Sequence, residues 1–204
     1  MNILEIMDIS RVNVGAQADW WQRAEMRIEM LQSKQKPSKV IANAFADFSV
    51  SVYPHTWEDI KELTRYVISR GTELVGAVTV LTGEGFNQCD HIVTNPKYAG
   101  QSIAVKFYVF LMKFTQQPIV SGSEQTGAGK QLWEKLANTP GVYVYGWDKA
   151  LNKFFDVDPE DLSMDEYIYG TLDSEPDLEA DSRRAGSHTL LLVASLMARA
   201  KTLS

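Results

Sequence analysis

The chain has little cysteine, little that could serve as a targeting signal and no long hydrophobic run. Cys89 is the one cysteine among 204 residues, which excludes an intramolecular disulfide and a zinc site of the multi-cysteine kind. A reducing, cytoplasmic setting is therefore expected. The opening MNILEIMDIS lacks a basic region ahead of its apolar residues and is broken by Glu5 and Asp8, so it does not read as a secretory leader. Elsewhere the longest apolar stretch, Thr189 to Ala198, spans ten residues, half of the ~20 that a membrane helix requires. A soluble protein with no membrane partner is the expectation. Basic charge is missing from one region: 154–181 holds eleven acidic residues and no lysine or arginine. Outside it, 15 acidic side chains face 20 basic ones, so a net charge of -6 hides a mildly basic body suited to a phosphate-bearing ligand. The simplest reading of the acidic span is a solvated linker. A cover for a basic cleft and a mimic of nucleic acid are the alternatives.

What is present is a chain 45% hydrophobic and 10% aromatic, enough for one substantial core. Ile3 to Ile9 reads as a short strand. Ala18 to Gln32 reads as a helix, with apolar residues at Trp20, Trp21, Ala24, Met26, Ile28 and Leu31. Val40 to Phe48 suggests a second, short helix and Phe48 to Tyr53 a strand. Thr56-Trp57-Glu58-Asp59 has the form of a capped first turn of helix. The clearest feature is a hairpin: ELTRYVISR and TELVGAVTVL are β-branched runs meeting at Arg70-Gly71-Thr72, and Gly71 supplies the positive φ of a tight turn. A strand follows from Phe86 to Thr94, ended by Asn95-Pro96. Ser102 to Phe114 is a helix by its apolar period, Pro118 to Ser121 a short strand, Gly129 to Asn138 a helix and Gly141 to Trp147 a strand. The predicted organisation is one domain over 1–150, then an acidic linker and a docking helix, HTLLLVASLMARAKTL, over 151–204. That helix would dock on the domain or on another subunit, which leaves an oligomer open.

Between strand and helix lies Asn95-Pro96-Lys97-Tyr98-Ala99-Gly100-Gln101-Ser102-Ile103-Ala104. Small residues at a helix entrance expose backbone N–H groups, and these with the helix dipole suit a pyrophosphate. An ordinary strand-to-helix loop is the alternative. This segment, the hairpin before it, and Ile119-Val120-Ser121 followed by GKQLWEKLA resemble the GNAT N-acyltransferases over residues 63 to 147. The family's acetyl-CoA loop reads Arg/Gln-x-x-Gly-x-Gly/Ala. Ala104 matches its last position, whereas Ala99 and Ser102 stand where the arginine or glutamine and the first glycine would be. Small GNAT-like proteins with eroded motifs also resemble those encoded by bacteriophages.

The resemblance implies an α/β fold with a GNAT-like mixed, mostly antiparallel sheet flanked by helices. It implies transfer of an acetyl group from acetyl-CoA to an amine, with Val93, Gly100, Gln101, Ser102, Ile103 and Ala104 contacting the cofactor. Asp90 and His91 lie on the strand where the family's base sits. A solvent-facing Asp90 and a packed His91 are the plain alternatives. Simple alternation puts these two on opposite faces and Cys89 on the face of His91. Trp133 stands where the family often has an acid tyrosine, and an indole cannot protonate a thiolate. The rival reading is a catalytically silent GNAT-like protein that binds a macromolecular partner, such as a host enzyme or a virion component. An inhibitor that mimics DNA through the acidic span is a third.

Other motifs contribute less. Glu124-Gln125-Thr126-Gly127-Ala128-Gly129-Lys130-Gln131 is similar to a Walker A loop, but Glu124 replaces the first glycine and Gln131 the magnesium-binding hydroxyl. Lys34 to Lys39 reads as a solvated linker, so no nucleic-acid partner is expected. No metal site is apparent.

Overall fold

The computed structural model describes residues 14–57, 60–83, 85–121, 127–148, 151–158 and 190–197. The long first helix is α1, Val14–Lys34. A run of antiparallel strands follows: β1 (Lys39–Phe45), β2 (Phe48–Trp57), β3 (Ile60–Arg70), β4 (Glu73–Gly83) and β5 (Phe86–Thr94). A 3-10 turn, Pro96–Tyr98, leads to α2 (Ile103–Thr115), β6 (Ile119–Val120), α3 (Gly127–Ala137), β7 (Tyr143–Asp148), β8 (Lys153–Asp156) and β9 (Leu190–Ser195). The strands form one sheet in the order β1-β2-β3-β4-β5-β6-β9-β7-β8. Among the described pairings only β5 with β6 is parallel. The protein is thus a mixed α/β fold built on a large, mostly antiparallel sheet.

Alternation along β3 divides the core. Tyr66 and Ile68 join a large cluster with Phe107 and Leu111 of α2 and Leu136 of α3. Val67, between them, packs with Tyr53, Ala77 and Ile28 of α1. Successive strand residues point to opposite faces, so α2 and α3 cover one side of the sheet and α1 the other. The predicted helix over 18–32 lies inside α1, and the β3–β4 hairpin turns at Gly71 with φ +59° as its sequence requires.

Several sequence expectations are corrected. Val40 to Phe48 is not a helix but β1 and the start of β2, paired Val40 to Ser51 and Ile41 to Val50. Its alanines favour helix, but propensity is a weak term beside the β-branched Val40 and Ile41 and the cross-strand pairing, which override it. Thr56 and Trp57 belong to β2 rather than to a helical turn, with Trp57 opposite Ile60. The largest correction is at the C-terminal end. Leu190–Ser195 is a strand seated between β6 and β7, not a docking helix. Leu191 to Ser195 are all buried, and a central strand covered on both faces reads as a continuous apolar run that periodicity does not separate from a buried helix. Leu192 and Ala194 join the same cluster as Phe107, so this segment is part of the main core. The expected strand over 3–9 and residues 159–181 of the acidic span lie outside the described residues, while the start of that span, 154–156, belongs to β8 rather than to a linker.

Candidate active site

The site is built around β5. Its first residues pair in parallel with β6, Asn87 opposite Ile119 and Gln88 opposite Val120. Among the described residues the β5 main chain from Cys89 to Thr94 is paired with β4 alone; residues 122–126, which follow β6, lie outside the described ones. The parallel strands β5 and β6 are each followed by a helix, and the carboxyl ends of such strands are where α/β sheets bind ligands.

Along this stretch β5 carries a bulge. Cys89 lies opposite Val80 and His91 opposite Thr79, so Asp90 is the extra residue. Facing residues of an antiparallel pair share a face, and neighbours on β4 alternate. The Cys89 and His91 positions therefore fall on opposite faces, which corrects the simple alternation expected from sequence.

At the far end of β5 the chain is held tightly. Asn95 N–H donates to Val75 O at 2.7 Å and its side-chain amide to Leu74 O at 3.2 Å, while its Oδ1 accepts from Lys97 N at 2.9 Å. The Glu73 carboxylate takes Lys97 Nζ at 2.7 Å and the Tyr98 hydroxyl at 2.8 Å. Those bonds, led by the one from Lys97, hold the Glu73 carboxyl below its usual range, and the same carboxylate raises Lys97 and Tyr98. The 3-10 turn is thus fastened to the start of β4 from both its backbone and its side chains.

From this anchor the loop climbs to α2. Gly100 has φ +80° with nothing within 4 Å of where a side chain would begin. Ser102 caps the helix in the left-handed region, φ 53°, and its hydroxyl makes no capping bond. The amides of Tyr98, Ala99 and Gln101 are spent on turn bonds to Asn95, Pro96 and Tyr98. The Ser102 side chain makes no capping bond to the first-turn amides of Ile103, Ala104 and Val105, which have no intrahelical acceptor. Val93 and Thr94 finish β5 just before the anchor. The structure thus brings Val93, Gly100, Gln101, Ser102, Ile103 and Ala104 into one strand–turn–helix unit, and Asp90 and His91 lie earlier on the same strand.

Beneath β5 is a buried aromatic group. Tyr108 of α2 is enclosed, and burial, with the Cys89 thiol beside it and hydrogen-bonded to it, pushes its phenol well above the ordinary range. Tyr66 is raised chiefly by burial as well. Both stay protonated at neutral pH. Trp133 of α3 is buried with its ring edge-on to Tyr108, centroids 6.3 Å apart. It acts as packing and carries no titratable proton. Sequence reasoning missed Asn95 and Glu73. Only Asn95, an Asx residue ahead of proline, carries a local signal of its role.

Three solved structures match this chain, with low similarity. One, described as a GNAT-family acetyltransferase from Bacteroides thetaiotaomicron, is 16% identical, with 71% of this chain and 68% of that one covered and a TM-score of 0.41. Another, the ribosomal-protein-S18-alanine N-acetyltransferase from Escherichia coli, is 11% identical, with 75% and 86% covered and a TM-score of 0.36. No family model and no curated protein matches. Among the described residues no helix is long and apolar enough to cross a membrane, and no group of three or more metal-ligating side chains is present.

Proposed function

We propose that this chain is a GNAT-type N-acyltransferase that accepts acetyl-CoA and passes its acetyl group to an amine. The observation that carries the reading is the strand–turn–helix unit in which the end of β5, residues 89–94, leads through Gly100 to the first-turn amides of α2, to which the Ser102 side chain makes no capping bond. The residues fit the cofactor in two respects. Gly100 leaves open space at the loop, and the first amides of α2 are donors aimed where an anion is stabilised by the helix dipole. Acetyl-CoA supplies the thioester. The chain's own part is to bind pyrophosphate through the amides of Gly100 and Ser102 to Ala104 and to offer the β5 main chain from Cys89 to Val93 alongside the acyl arm. Asp90 or His91 takes the proton from the amine, directly or through water.

Ala99 offers no side-chain bond to phosphate, and Trp133 offers no proton to a departing thiolate. Weak affinity and slow turnover are expected from these two positions. They are also what favours the second reading, a silent GNAT-like protein that binds a macromolecular partner. Calorimetric titration of the full chain with acetyl-CoA separates them. Saturable binding that weakens in Gly100→Val supports the acyltransferase, and no heat of binding gives the lead to the silent partner-binder.

A further inference from the structure

One row of facing positions crosses the sheet on the side covered by α1. Arg65 of β3 lies opposite Tyr53 of β2 and Thr79 of β4, and Thr79 lies opposite the His91 position of β5. Arg65 is two residues from Val67, which packs with Ile28 of α1, so the row shares that face. Facing side chains of adjacent strands begin only ~4.5–5.5 Å apart. Tyr53 is 3% and Thr79 7% exposed, and Arg65 is half-buried. Among the described residues the Arg65 guanidinium and the Tyr53 and Thr79 hydroxyls make no hydrogen bond and no ion pair. Buried donors are ordinarily matched by acceptors, and a buried guanidinium by an anion. Here the charge acting on Arg65 among the described residues is a second cation, Arg27 of α1, and burial with that like charge lowers the Arg65 pKa.

We infer that Arg65, with the Tyr53 and Thr79 hydroxyls, forms a carboxylate-binding site that selects an acceptor amine bearing a carboxylate. The inference rests on the acyltransferase reading and names its substrate class. A guanidinium binds a carboxylate through two parallel N–H···O bonds, and each hydroxyl offers a further donor to the remaining lone pairs. Arg65 and Arg27 would repel an ammonium group, so this end of the row suits the anion and not the amine. The amine end then reaches the His91 position, which is one strand beyond Thr79. Two strand spacings, about 10 Å, separate the main chains of β3 and β5. An acceptor whose amine and carboxylate lie a few bonds apart, as in an amino acid, fits that span once the side chains are counted. The phosphate loop follows the far end of β5, so Arg65 acts on the acceptor and not on the cofactor.

The test titrates the full chain, with CoA present, with paired acceptors and reads binding from amide shifts in NMR spectra. The pairs are glycine and glycinamide, β-alanine and its amide, and γ-aminobutyrate and its amide, which lengthen the spacer one methylene at a time. At least one carboxylate should bind about tenfold more tightly than its amide, the scale of a hydrogen bond to a charged group. Arg65→Gln should abolish that preference while the dissociation constant for acetyl-CoA stays unchanged, and Arg65→Lys, which keeps the charge, should retain part of it. Should Arg65→Gln not fold, Tyr53→Phe, which keeps the ring and removes the donor, should show a smaller loss of the same preference. Equal binding within every pair, binding of neither member, or a preference that survives these changes overturns the carboxylate site and leaves the acyltransferase reading standing. Failure of the unaltered chain to bind acetyl-CoA, with the carboxylate preference intact, overturns the acyltransferase reading and leaves the anion site.

Discussion

The Tyr98 hydroxyl donates to Glu73 Oε2 at 2.8 Å while Lys97 Nζ holds the other oxygen at 2.7 Å. One carboxylate at the start of β4 therefore fixes the turn that begins the phosphate loop. Because the native pKa of Glu73 is depressed, its contribution is fully present above the unfolded value, 4.5, and is lost as pH falls through the lower native value. Glu73→Gln should lower the melting temperature at pH 7. The difference from the unaltered chain should close as the pH is taken below 4.5 and through that lower native value in thermal melts. A difference that persists unchanged in acid would assign the effect to packing.

Ser102 adopts φ 53° without using its hydroxyl as a cap. The left-handed conformation costs a residue with a Cβ about 1–2 kcal/mol, and glycine forfeits ~0.4–1 kcal/mol through its freer unfolded chain. Ser102→Gly should accordingly gain up to about 1 kcal/mol in urea unfolding, whereas Ser102→Val should lose stability. If the loop binds acetyl-CoA, the glycine variant should also bind it more tightly, since the backbone can approach the pyrophosphate more closely.

A side chain at Gly76 would begin 2.7 Å from the Val93 carbonyl oxygen. That oxygen is backbone and cannot swing away. Gly76→Ala should cost about 1–3 kcal/mol as an overpacking change, and should also weaken acetyl-CoA binding, because the strain falls on the last residues of β5. A variant as stable as the parent would show that β5 shifts freely here.

Removal of the residues after 158 takes β9 out from between β6 and β7. Leu192, Val193 and Ala194 are almost wholly buried, and the truncated chain should lose cooperative melting by circular dichroism. The single change Leu192→Ala should cost about 2–5 kcal/mol. Cooperative melting of the truncated chain would mean that β9 is dispensable to the core.

How much of this was legible in the sequence depended on whether the signal was local. Gly71 between two β-branched runs, Pro96 closing a strand and the apolar period from Ile103 each identify an element from a few neighbours. β1 and β9 do not, because Val40-Ile41-Ala42 and Leu190-Leu191-Leu192 take their conformation from strands far along the chain. The same holds within the site. The strand–turn–helix unit from Val93 to Ala104 was readable. The bulge at Asp90 depends on register against β4, and the role of Glu73 depends on a partner 25 residues away.

The position of β9 also bears on how the protein is made. β7 and β8 reach the rest of the sheet through β9, and that strand comes after the acidic span 154–181 in the chain. A nascent chain emerging from the ribosome can pair β1 to β6 as it appears, yet it must leave the outer edge of β6 bare until residue 195 has been delivered. Closure then depends on a contact of long sequence separation, which is slow to form. An uncovered strand edge invites pairing with other chains in the meantime. Yield on expression should therefore respond to translation speed and to chaperones more than the stability of the finished fold would suggest.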